Sequence, residues 1–394
     1  MGKKLFTVWL AVLMALSGML VSVPKAAAAQ SGVSVSAKAA VLIEADTGRV
    51  LFAKNKNECL PMASTTKIMT ALITLEAGNL DAPFVVDEKA IQVEGSSMGL
   101  QKGDTVTLRT LAYGMLLPSG NDAANAAAVR IAGSLEEFAV LMNARAEAIG
   151  MNNSHFVTPS GLDDEQHYTT AHDMAKLARV ALQNTAFRDI CSCSTAKVEF
   201  GNPPYERWLK NHNRLLQEYK GAIGVKTGFT KKSGRCLVSA AERDGVRLIA
   251  VTLNAPDDWQ DHAKMFNYGF GNVTSRQFDV SYEDIQIDVV GGETDSVGVV
   301  PLAMPMVNVE EADLSRITQQ VLVEPFYYAP LQAGDAVGKI LLFLDGEEIG
   351  SCTLIAKDHV EQKITEIEFS FWEKIKMWFQ NLFYQIKAFV QSLL

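Results

Sequence analysis

The sequence predicts an α+β protein, on three observations. Strand patterns occur near the start of the chain and again over residues 222–255, helical patterns lie between them, and helical periodicity stops past about residue 275. Short hairpin turns join neighbouring strands, and parallel neighbours would need long crossovers, so we expect an antiparallel sheet. We therefore predict five antiparallel strands covered by helices, then a small all-β domain and a C-terminal amphipathic helix.

The chain begins with a segment that differs from the globular body. Residues 1–29 begin with two lysines, followed by an apolar stretch of about 18 residues and an Ala-x-Ala site, the pattern of a secretory signal peptide. We predict cleavage after Ala29. The alternative is an uncleaved membrane anchor, because the apolar stretch is nearly long enough to span a bilayer. Both interpretations predict that the body is exported.

The first predicted elements are a strand–turn–strand unit and a helix. Residues 39–54 show two strand patterns around an Asp-Thr-Gly turn. After Ser64, apolar residues recur at helical spacing, and Gly78 ends the helix. The spacing predicts four further helices, over 107–117, 122–133, 135–150 and 170–184.

Three strands complete the predicted sheet. They cover residues 222–228, 235–242 and 246–255, and the last two are joined by an Arg-Asp-Gly hairpin turn. Beyond them, residues 277–366 read as a small all-β domain without a cluster that looks catalytic. The expected organisation is a signal peptide (1–29), a catalytic domain (30–276), the β-rich domain (277–366) and a membrane-association helix (367–394).

The last segment predicts an amphipathic helix. On a helical wheel of residues 371–394, the aromatic and aliphatic side chains share one face and the lysines, glutamines and asparagine take the other. Two tryptophans, four phenylalanines and three lysines near a chain end favour a membrane interface over packing on a core. The helix is too polar to span a bilayer.

Charge and cysteine content exclude some functions. The chain has a net charge of −9, and removal of residues 1–29 takes away three lysines and no acid, which leaves −12. An acidic body argues against a nucleic-acid partner. The five cysteines are an odd number, and Cys191 and Cys193 are too close for an ordinary bridge, so we expect free thiols. No Cys or His spacing suggests a metal.

A candidate nucleophile and base occur together in "STTK" (64–67). Residues three apart are neighbours on a helix, so Ser64 and Lys67 share a face. A serine at a helix start also has free backbone N–H groups that can donate to an oxyanion. Lysine acts as a base only when burial and a second cation lower its pKa from about 10.4. A second lysine is therefore expected at the same place.

The pattern alone is weak evidence. Roughly one Ser-x-x-Lys is expected by chance in a chain of this length. A second copy occurs at 194–197, after a cysteine-rich segment with no clear helical stripe, and we reject it on that ground. A capped helix with a solvated lysine is the ordinary interpretation of such a pattern.

Two further motifs support the first copy. Ser119-Gly120-Asn121 is the only Ser-x-Asn and falls at a break between two helices, where a hydroxyl and an amide can point into a cleft. A helix cap is the alternative, since both residue types cap well. Lys226-Thr227-Gly228 is the only Lys-Thr-Gly and lies on a predicted strand, where glycine lets another backbone approach. Its alternative is an exposed edge-strand lysine.

Taken in order, these motifs resemble those of the penicillin-binding proteins and serine β-lactamases. Glycine at 120, where that motif set has aspartate, is instead similar to the low-molecular-mass D-alanyl-D-alanine carboxypeptidases. "VLIEADTGRVLFAKN", "PSGLDDEQHYTTAHDMAKLA" and "GVKTGFTKKSGRCLVSAAERDGVRLIAV" resemble the same group. The resemblance covers essentially the whole chain after the leader and implies a β-lactamase/transpeptidase-like catalytic domain.

The resemblance implies acyl transfer without a metal or an organic cofactor. Ser64 is expected to attack the penultimate D-alanine carbonyl of a peptidoglycan stem peptide, and Lys67, kept neutral by burial and Lys226, to accept the hydroxyl proton. β-Lactams, which mimic the D-Ala-D-Ala end, are expected to acylate Ser64. The enzyme would act in the bacterial cell envelope, peripherally attached to the outer face of the cytoplasmic membrane.

The same resemblance implies roles for the other motif residues. Ser119 is expected to pass a proton to the departing D-alanine, and Asn121 to bind the substrate amide. Lys226, Thr227 and Gly228 are expected to hold the terminal carboxylate and the peptide backbone. The backbone N–H groups of Ser64 and Phe229 would form the oxyanion hole.

Three alternatives stay open on the sequence. A class A β-lactamase would need a glutamate for deacylation; Glu165 lies in a plausible region, but without the surrounding Glu-x-x-x-Asn pattern. A transpeptidase or endopeptidase shares the acyl-enzyme and differs only in the acceptor. An inactive envelope protein that binds cell-wall peptide as a scaffold is the third.

Overall fold

A computed structural model describes residues 32–364 and 370–392. The predicted signal peptide, residues 1–29, lies outside the described residues. The chain divides into two compact units between Ser275 and Arg276. The first unit contains all the predicted catalytic motifs.

The first unit is mixed α and β. Its strands are β1 (Ala39–Glu44), β2 (Val50–Lys54), β3 (Phe84–Val85), β4 (Thr105–Val106), β5 (Thr195–Gly201), β6 (Pro204–Lys210), β7 (Ala222–Thr230), β8 (Gly234–Arg243) and β9 (Val246–Leu253). Its helices are α1 (Lys67–Glu76), α2 (Leu108–Leu116), α3 (Asn121–Ala132), α4 (Leu135–Ile149), α5 (Ala171–Gln183), α6 (Thr185–Ser192), α7 (Leu215–Glu218) and α8 (Asp258–Asn272). A 3₁₀ turn, Ala63–Thr66, precedes α1.

The main sheet has five strands in the order β2-β1-β9-β8-β7, which confirms the predicted antiparallel sheet. Its two amino-terminal strands and its three later strands meet where β1 pairs with β9, for example Val41 opposite Val251. β7, which carries the Lys-Thr-Gly motif, is an edge strand.

Both faces of this sheet are covered. Val41 and Ile43 of β1 pack into a core with α1 to α6, whereas Ala40 and Leu42 pack into a second core with Met265 and others of α8. Because both faces are buried, β1 is apolar at consecutive positions instead of alternating. The larger core fixes the elements that carry the motifs.

The structure contains elements that the sequence patterns did not predict. Helix α8 covers one face of the sheet, and a four-stranded sheet of order β3-β4-β5-β6 lies apart from the main sheet. The rejected copy at 194–197 leads into β5, so its serine and lysine do not lie on a helix.

The second unit is predominantly β, as predicted. β10 (Val273–Gln277) spans the boundary; the strands that follow are β11 (Gln286–Val290), β12 (Ser296–Pro301), β13 (Met306–Glu310), β14 (Ile317–Val323), β15 (Phe326–Tyr328), β16 (Ala336–Leu344) and β17 (Glu347–Ala356). A 3₁₀ turn, Glu311–Arg316, precedes β14. Six strands form a sheet of order β14-β16-β17-β12-β11-β15. Asp345 and Gly346, both with positive φ, make the tight turn between β16 and β17.

The predicted final helix is present as α9 (Phe371–Ser392). Its large apolar side chains are exposed; Trp378 is 60% exposed and Phe379 58%. Among the described residues, no helix is long and apolar enough to cross a membrane.

Candidate active site

Ser64 and Lys67 meet at the junction between the 3₁₀ turn and α1. Lys67 is the first residue of α1 and is completely buried, and its Nζ lies 3.0 Å from Ser64 Oγ. Ala63, directly before the serine, has a positive φ of 49°, a conformation that costs a non-glycine residue about 1–2 kcal/mol. The backbone is therefore sharply bent at the nucleophile.

Lys67 Nζ has two other partners, and both are carbonyl oxygens. Asn121 Oδ1 and the backbone oxygen of Ser160 each lie 2.6 Å away. A neutral amine has two N–H groups and one lone pair, and carbonyl oxygens only accept. When the amine is neutral, its two N–H groups can donate to these two oxygens and its lone pair is left for the Ser64 hydroxyl, which is the arrangement that a general base needs.

The pKa of Lys67 is lowered well below its usual value, first by burial and then by the positive charge of Lys226, while Asp122 acts in the opposite direction. Lys226 is itself only 1% exposed, and burial lowers its pKa to about 7. Its Nζ donates to the Thr227 backbone oxygen at 2.9 Å. The second lysine expected from the sequence is thus present, and its charge lowers the pKa of Lys67.

The break at 118–121 brings the second motif to the same place. Ser119 has a positive φ of 65° and lines the cleft above Ser64, and Asn121 begins α3. Both side chains are 4% exposed. Asn121 Nδ2 also donates to the Glu94 backbone oxygen at 2.6 Å, so both ends of its amide are engaged.

Strand β7 passes directly beside Ser64. A Cβ added to Gly228 would lie 3.0 Å from Thr65 N and 3.1 Å from Ser64 N, so a side chain here would crowd the backbone of the 3₁₀ turn. Glycine at 228 thus permits the close approach that the sequence predicted. Phe229, the next residue, is 65% exposed.

An open cleft of about 610 Å³ joins these motifs. Ser64, Ser119, Thr227, Gly228 and Phe229 all line it. The two buried lysines lie beneath its wall. Five of the eight predicted residues therefore line the cleft. The Lys67 amine contacts Ser64 and the Lys226 amine donates to Thr227, and Asn121 contacts Lys67.

One part of the cleft is basic. Lys210, Arg214 and Arg235 contribute to its wall, and Asp258 pairs with Arg235 at 2.9 Å. Arg214 pairs with Glu218 at 2.7 Å. A wall of this charge attracts an anionic group such as a carboxylate.

The sequence did not predict that segment 158–167 takes part in the site, although this segment resembles the carboxypeptidases. The Ser160 carbonyl contacts Lys67, and Gly161 lies against Ala63: a Cβ at 161 would be 2.0 Å from the Ala63 oxygen. His167 is buried and contacts Thr66. Gly161, which follows Pro-Ser, was the only sequence feature that indicated a close contact here, because a backbone carbonyl occurs in every residue type.

The five cysteines, all in the described part of the chain, are free thiols. Burial raises the pKa of the Cys191 and Cys236 thiols, the latter to about 11, which leaves little reactive thiolate. Among the described residues, no group of three or more His, Cys, Asp or Glu side chains is arranged to hold a metal ion.

Comparison with protein families gives two matches. Residues 24–257 match the model described as D-alanyl-D-alanine carboxypeptidase, and residues 281–362 match the C-terminal domain of penicillin-binding protein 5. The two matches fall on either side of the boundary between the compact units.

Individual proteins agree with these models. The D-alanyl-D-alanine carboxypeptidase DacF of Bacillus subtilis is 32% identical over 361 residues, which are 87% of this chain and 92% of that one. The structure of penicillin-binding protein 5 from Haemophilus influenzae has a TM-score of 0.64 at 26% identity and covers 84% of this chain and 98% of its own. The Streptomyces K15 DD-transpeptidase has a TM-score of 0.58 at 34% identity, covering 60% and 98%. The chain belongs to the D-alanyl-D-alanine carboxypeptidase family.

Proposed function

We propose that the protein is a serine-type D-alanyl-D-alanine carboxypeptidase, which removes the terminal D-alanine from peptidoglycan stem pentapeptides. The observation that carries this proposal is the contact between Ser64 and Lys67, 3.0 Å apart, with the other two partners of the amine being carbonyl oxygens. The family assignment supports the same chemistry, since its members act on D-Ala-D-Ala by name.

In the acylation step, Ser64 Oγ forms a bond to the carbonyl carbon of the penultimate D-alanine, and its proton moves to Lys67 Nζ. The carbonyl oxygen becomes an oxyanion, to which the N–H groups of Ser64 and Phe229 donate. The tetrahedral intermediate collapses as the C–N bond breaks. Ser119 passes a proton to the departing D-alanine nitrogen and regains one from Lys67, which is thereby neutral again before deacylation.

In the deacylation step, water attacks the ester carbonyl of the acyl-enzyme. The new acid is the shortened stem peptide, and the electron pair of the broken C–O bond returns to Ser64 Oγ, which regains a proton. Lys67 accepts the proton of the attacking water and supplies one to the serine. The cycle needs no metal or organic cofactor.

Substrate binding is assigned to β7 and α3. Lys226, Thr227 and Gly228 hold the terminal carboxylate and the peptide backbone, and the basic wall of the cleft attracts that carboxylate. Asn121 is assigned to the substrate amide. Its Nδ2 carries two N–H groups. One donates to the Glu94 backbone oxygen, so the other can donate to the substrate carbonyl.

Endopeptidase and transpeptidase activities are the second candidate, since a structural relative is a DD-transpeptidase and the acyl-enzyme is shared. The acceptor alone separates them: water releases a shortened peptide, and an added amine is joined to it. The β-lactamase alternative has less support because Glu165 is exposed and makes no contact with Lys67 or Ser64 among the bonds of the described residues.

We further propose that the protein is exported and attached peripherally to the outer face of the cytoplasmic membrane. The lysines, apolar stretch and Ala-x-Ala site of residues 1–29 support export. The exposed aromatic side chains of α9 support attachment, because an apolar face of this size is stable in a membrane interface and costly in water.

The test is D-alanine release from a synthetic peptide ending in D-Ala-D-Ala, combined with mass spectrometry of the protein after penicillin. We expect release by the wild-type protein and a penicillin adduct on the peptide that contains Ser64. Ser64→Ala should abolish both, and Ser194→Ala, in the rejected copy, should abolish neither. Unchanged release by Ser64→Ala would falsify the catalytic assignment. Repeating the assay with glycine as an added acceptor distinguishes hydrolysis from transpeptidation.

A further inference from the structure

A continuous chain of buried hydrogen bonds connects the 158–167 segment to the peptide group of the nucleophile. His167 Nδ1 accepts from the Val157 N–H at 2.9 Å, so the ring proton is on Nε2. Nε2–H then donates to Thr66 Oγ1 at 2.8 Å. Because that hydroxyl oxygen is accepting from His167, its own proton is free to donate to the Ala63 backbone oxygen, 2.8 Å away.

Each donor in this chain has one acceptor, so the direction of all three bonds is fixed. His167 is 3% exposed and Thr66 is completely buried. Burial lowers the pKa of His167 to about 4, which keeps the ring neutral near neutral pH. The neutral ring is the form that can accept at Nδ1 and donate at Nε2 together.

The bonds end on the peptide group that contains the Ser64 N–H. A trans peptide is planar, and its C=O and N–H point in opposite directions, so holding the Ala63 oxygen holds the Ser64 N–H. The nitrogen of that N–H lies beside β7, 3.1 Å from the Cβ position of Gly228. Hydrogen bonding at the oxygen also polarises the amide and makes its N–H a stronger donor.

This peptide group needs support. Ala63 has a φ of 49°, which L residues adopt at a cost, and the 3₁₀ turn does not use the Ser64 N–H: within the described chain, Thr65 N–H bonds the Met62 oxygen and no acceptor takes the proton of Ser64. Gly161 also packs against the Ala63 oxygen, since a Cβ at 161 would lie 2.0 Å from that oxygen and 2.8 Å from Thr66 Oγ1. The carbonyl therefore contacts both Thr66 and Gly161.

We propose that Thr66 and His167 are positioning residues for acyl transfer, which aim the Ser64 N–H at the oxyanion by holding the carbonyl oxygen of the same peptide group. This inference rests on the proposed reaction at Ser64. The acylated carbonyl would then meet a donor whose direction is set before substrate arrives, which is how preorganised donors stabilise a transition state.

The decisive variant is Thr66→Val, which removes the hydroxyl and keeps the shape of the side chain. The matched control is Thr74→Val on α1, because Thr74 is also completely buried and donates only to the Thr70 oxygen within the helix, at 2.7 Å. The measurements are the acylation rate constant at saturating penicillin, the dissociation constant of the complex formed before acylation, and the melting temperature of the full chain.

Loss of an oxyanion donor lowers a rate by about 100- to 1,000-fold. Since Thr66 acts only on orientation, we expect acylation by Thr66→Val to be about 10-fold slower. The complex formed before acylation should keep its dissociation constant. The affinity for a D-alanine-based boronic acid, which forms a tetrahedral adduct on serine, should fall by the same factor as the rate. Thr74→Val should acylate at the wild-type rate even if its melting temperature drops as much as that of Thr66→Val.

The His167 variants test whether Thr66 and His167 act together through their hydrogen bond. His167→Gln places an N–H near the position of Nε2, whereas the shorter side chain of His167→Asn does not reach Thr66. We expect His167→Gln to retain faster acylation than His167→Asn. The double variant Thr66→Val with His167→Asn should be no slower than Thr66→Val alone, because the second change removes a bond that is already ineffective.

Equal acylation by Thr66→Val and Thr74→Val, or effects of Thr66 and His167 that multiply, would overturn the positioning role. The failure of the proposed function gives a different result. In that case Ser64→Ala itself would still be acylated, whatever the behaviour of the Thr66 variants.

Discussion

Lys67 and Lys226 are buried together, 0% and 1% exposed, and the charge of Lys226 is the second cause, after burial, that lowers the pKa of Lys67. Lys226 has a pKa of about 7, so it carries its charge mainly below neutral pH. In that range the charge of Lys226 opposes protonation of Lys67, in the same direction as burial does.

The first prediction concerns the pH dependence of acylation. A base works only unprotonated, so the rate falls as pH drops through the pKa of Lys67. Lys226→Met removes the neighbouring charge and raises that pKa, which should move the acidic limb of the profile to higher pH by about one unit. Lys226→Arg keeps the charge and should leave the limb near its wild-type position. The measurement is the acylation rate at saturating penicillin between pH 5 and pH 9; an acidic limb that stays in place in Lys226→Met contradicts the coupling.

The second prediction concerns the base itself. Lys67→Arg preserves the charge and roughly the length, but a guanidinium stays protonated and cannot accept the Ser64 proton. We expect acylation to fall by about 100- to 10,000-fold, the usual contribution of a general base. Lys197→Arg, the lysine of the rejected copy on β5, is the matched control and should acylate normally. Fluorescent penicillin labelling over time measures both, and rapid labelling of Lys67→Arg would rule out the assigned role.

Much of the fold was predictable because turn residues and the spacing of apolar residues form clear patterns in the sequence. The Arg-Asp-Gly turn between β8 and β9 has positive φ at Asp244 and Gly245, as a tight hairpin requires. Helix α8 was not predictable in the same way. Its buried positions follow helical spacing, but Asp258, Asp261 and His262 are among them, and all three are polar. A pattern based on hydrophobicity therefore misses this helix.

The site was predictable where side chains do the chemistry and not where the backbone does. Ser64, Lys67 and Lys226 each belong to a motif whose residue types are chemically restrictive. The Ser160 carbonyl, which is as close to Lys67 as Asn121 is, belongs to no residue type in particular. The Thr66–His167 contact joins residues 101 positions apart, and no local pattern indicates such a pair.

The third prediction concerns Gly161. It has a φ of 83°, and a Cβ there would lie 2.0 Å from the Ala63 oxygen and 2.5 Å from the Ala63 carbonyl carbon. Gly161→Ala should displace this peptide group, so the Ser64 N–H would no longer point at the oxyanion. We therefore expect acylation to slow by about 10-fold or more. Gly150→Ala is the matched control, since Gly150 has a φ of 79° with nothing within 4 Å.

Gly150→Ala therefore measures the cost of the left-handed backbone alone, about 1 kcal/mol of unfolding free energy. Acylation by this variant should equal that of the wild type. If both alanine variants lose similar stability and both acylate normally, the contact between Gly161 and Ala63 has no part in the reaction.

The last prediction concerns α9. Phe379 and Gln380 are adjacent and exposed, but Phe379 lies near the middle of the apolar face and Gln380 on the polar one. Each is changed to glutamate, so the two variants differ in charge from the wild type by the same amount. If the apolar face enters a membrane interface, Phe379→Glu loses the burial of an aromatic side chain, about 1.5–3 kcal/mol.

That loss corresponds to a fall in membrane partitioning of about 10-fold or more, whereas Gln380→Glu should change partitioning far less. Sedimentation of the full chain with vesicles that contain anionic and zwitterionic lipids measures both variants. D-alanine release should be unaffected, since none of the proposed catalytic residues lies in α9. Equal losses in the two variants would mean that charge repulsion from the lipid surface, and not burial of the aromatic face, governs attachment.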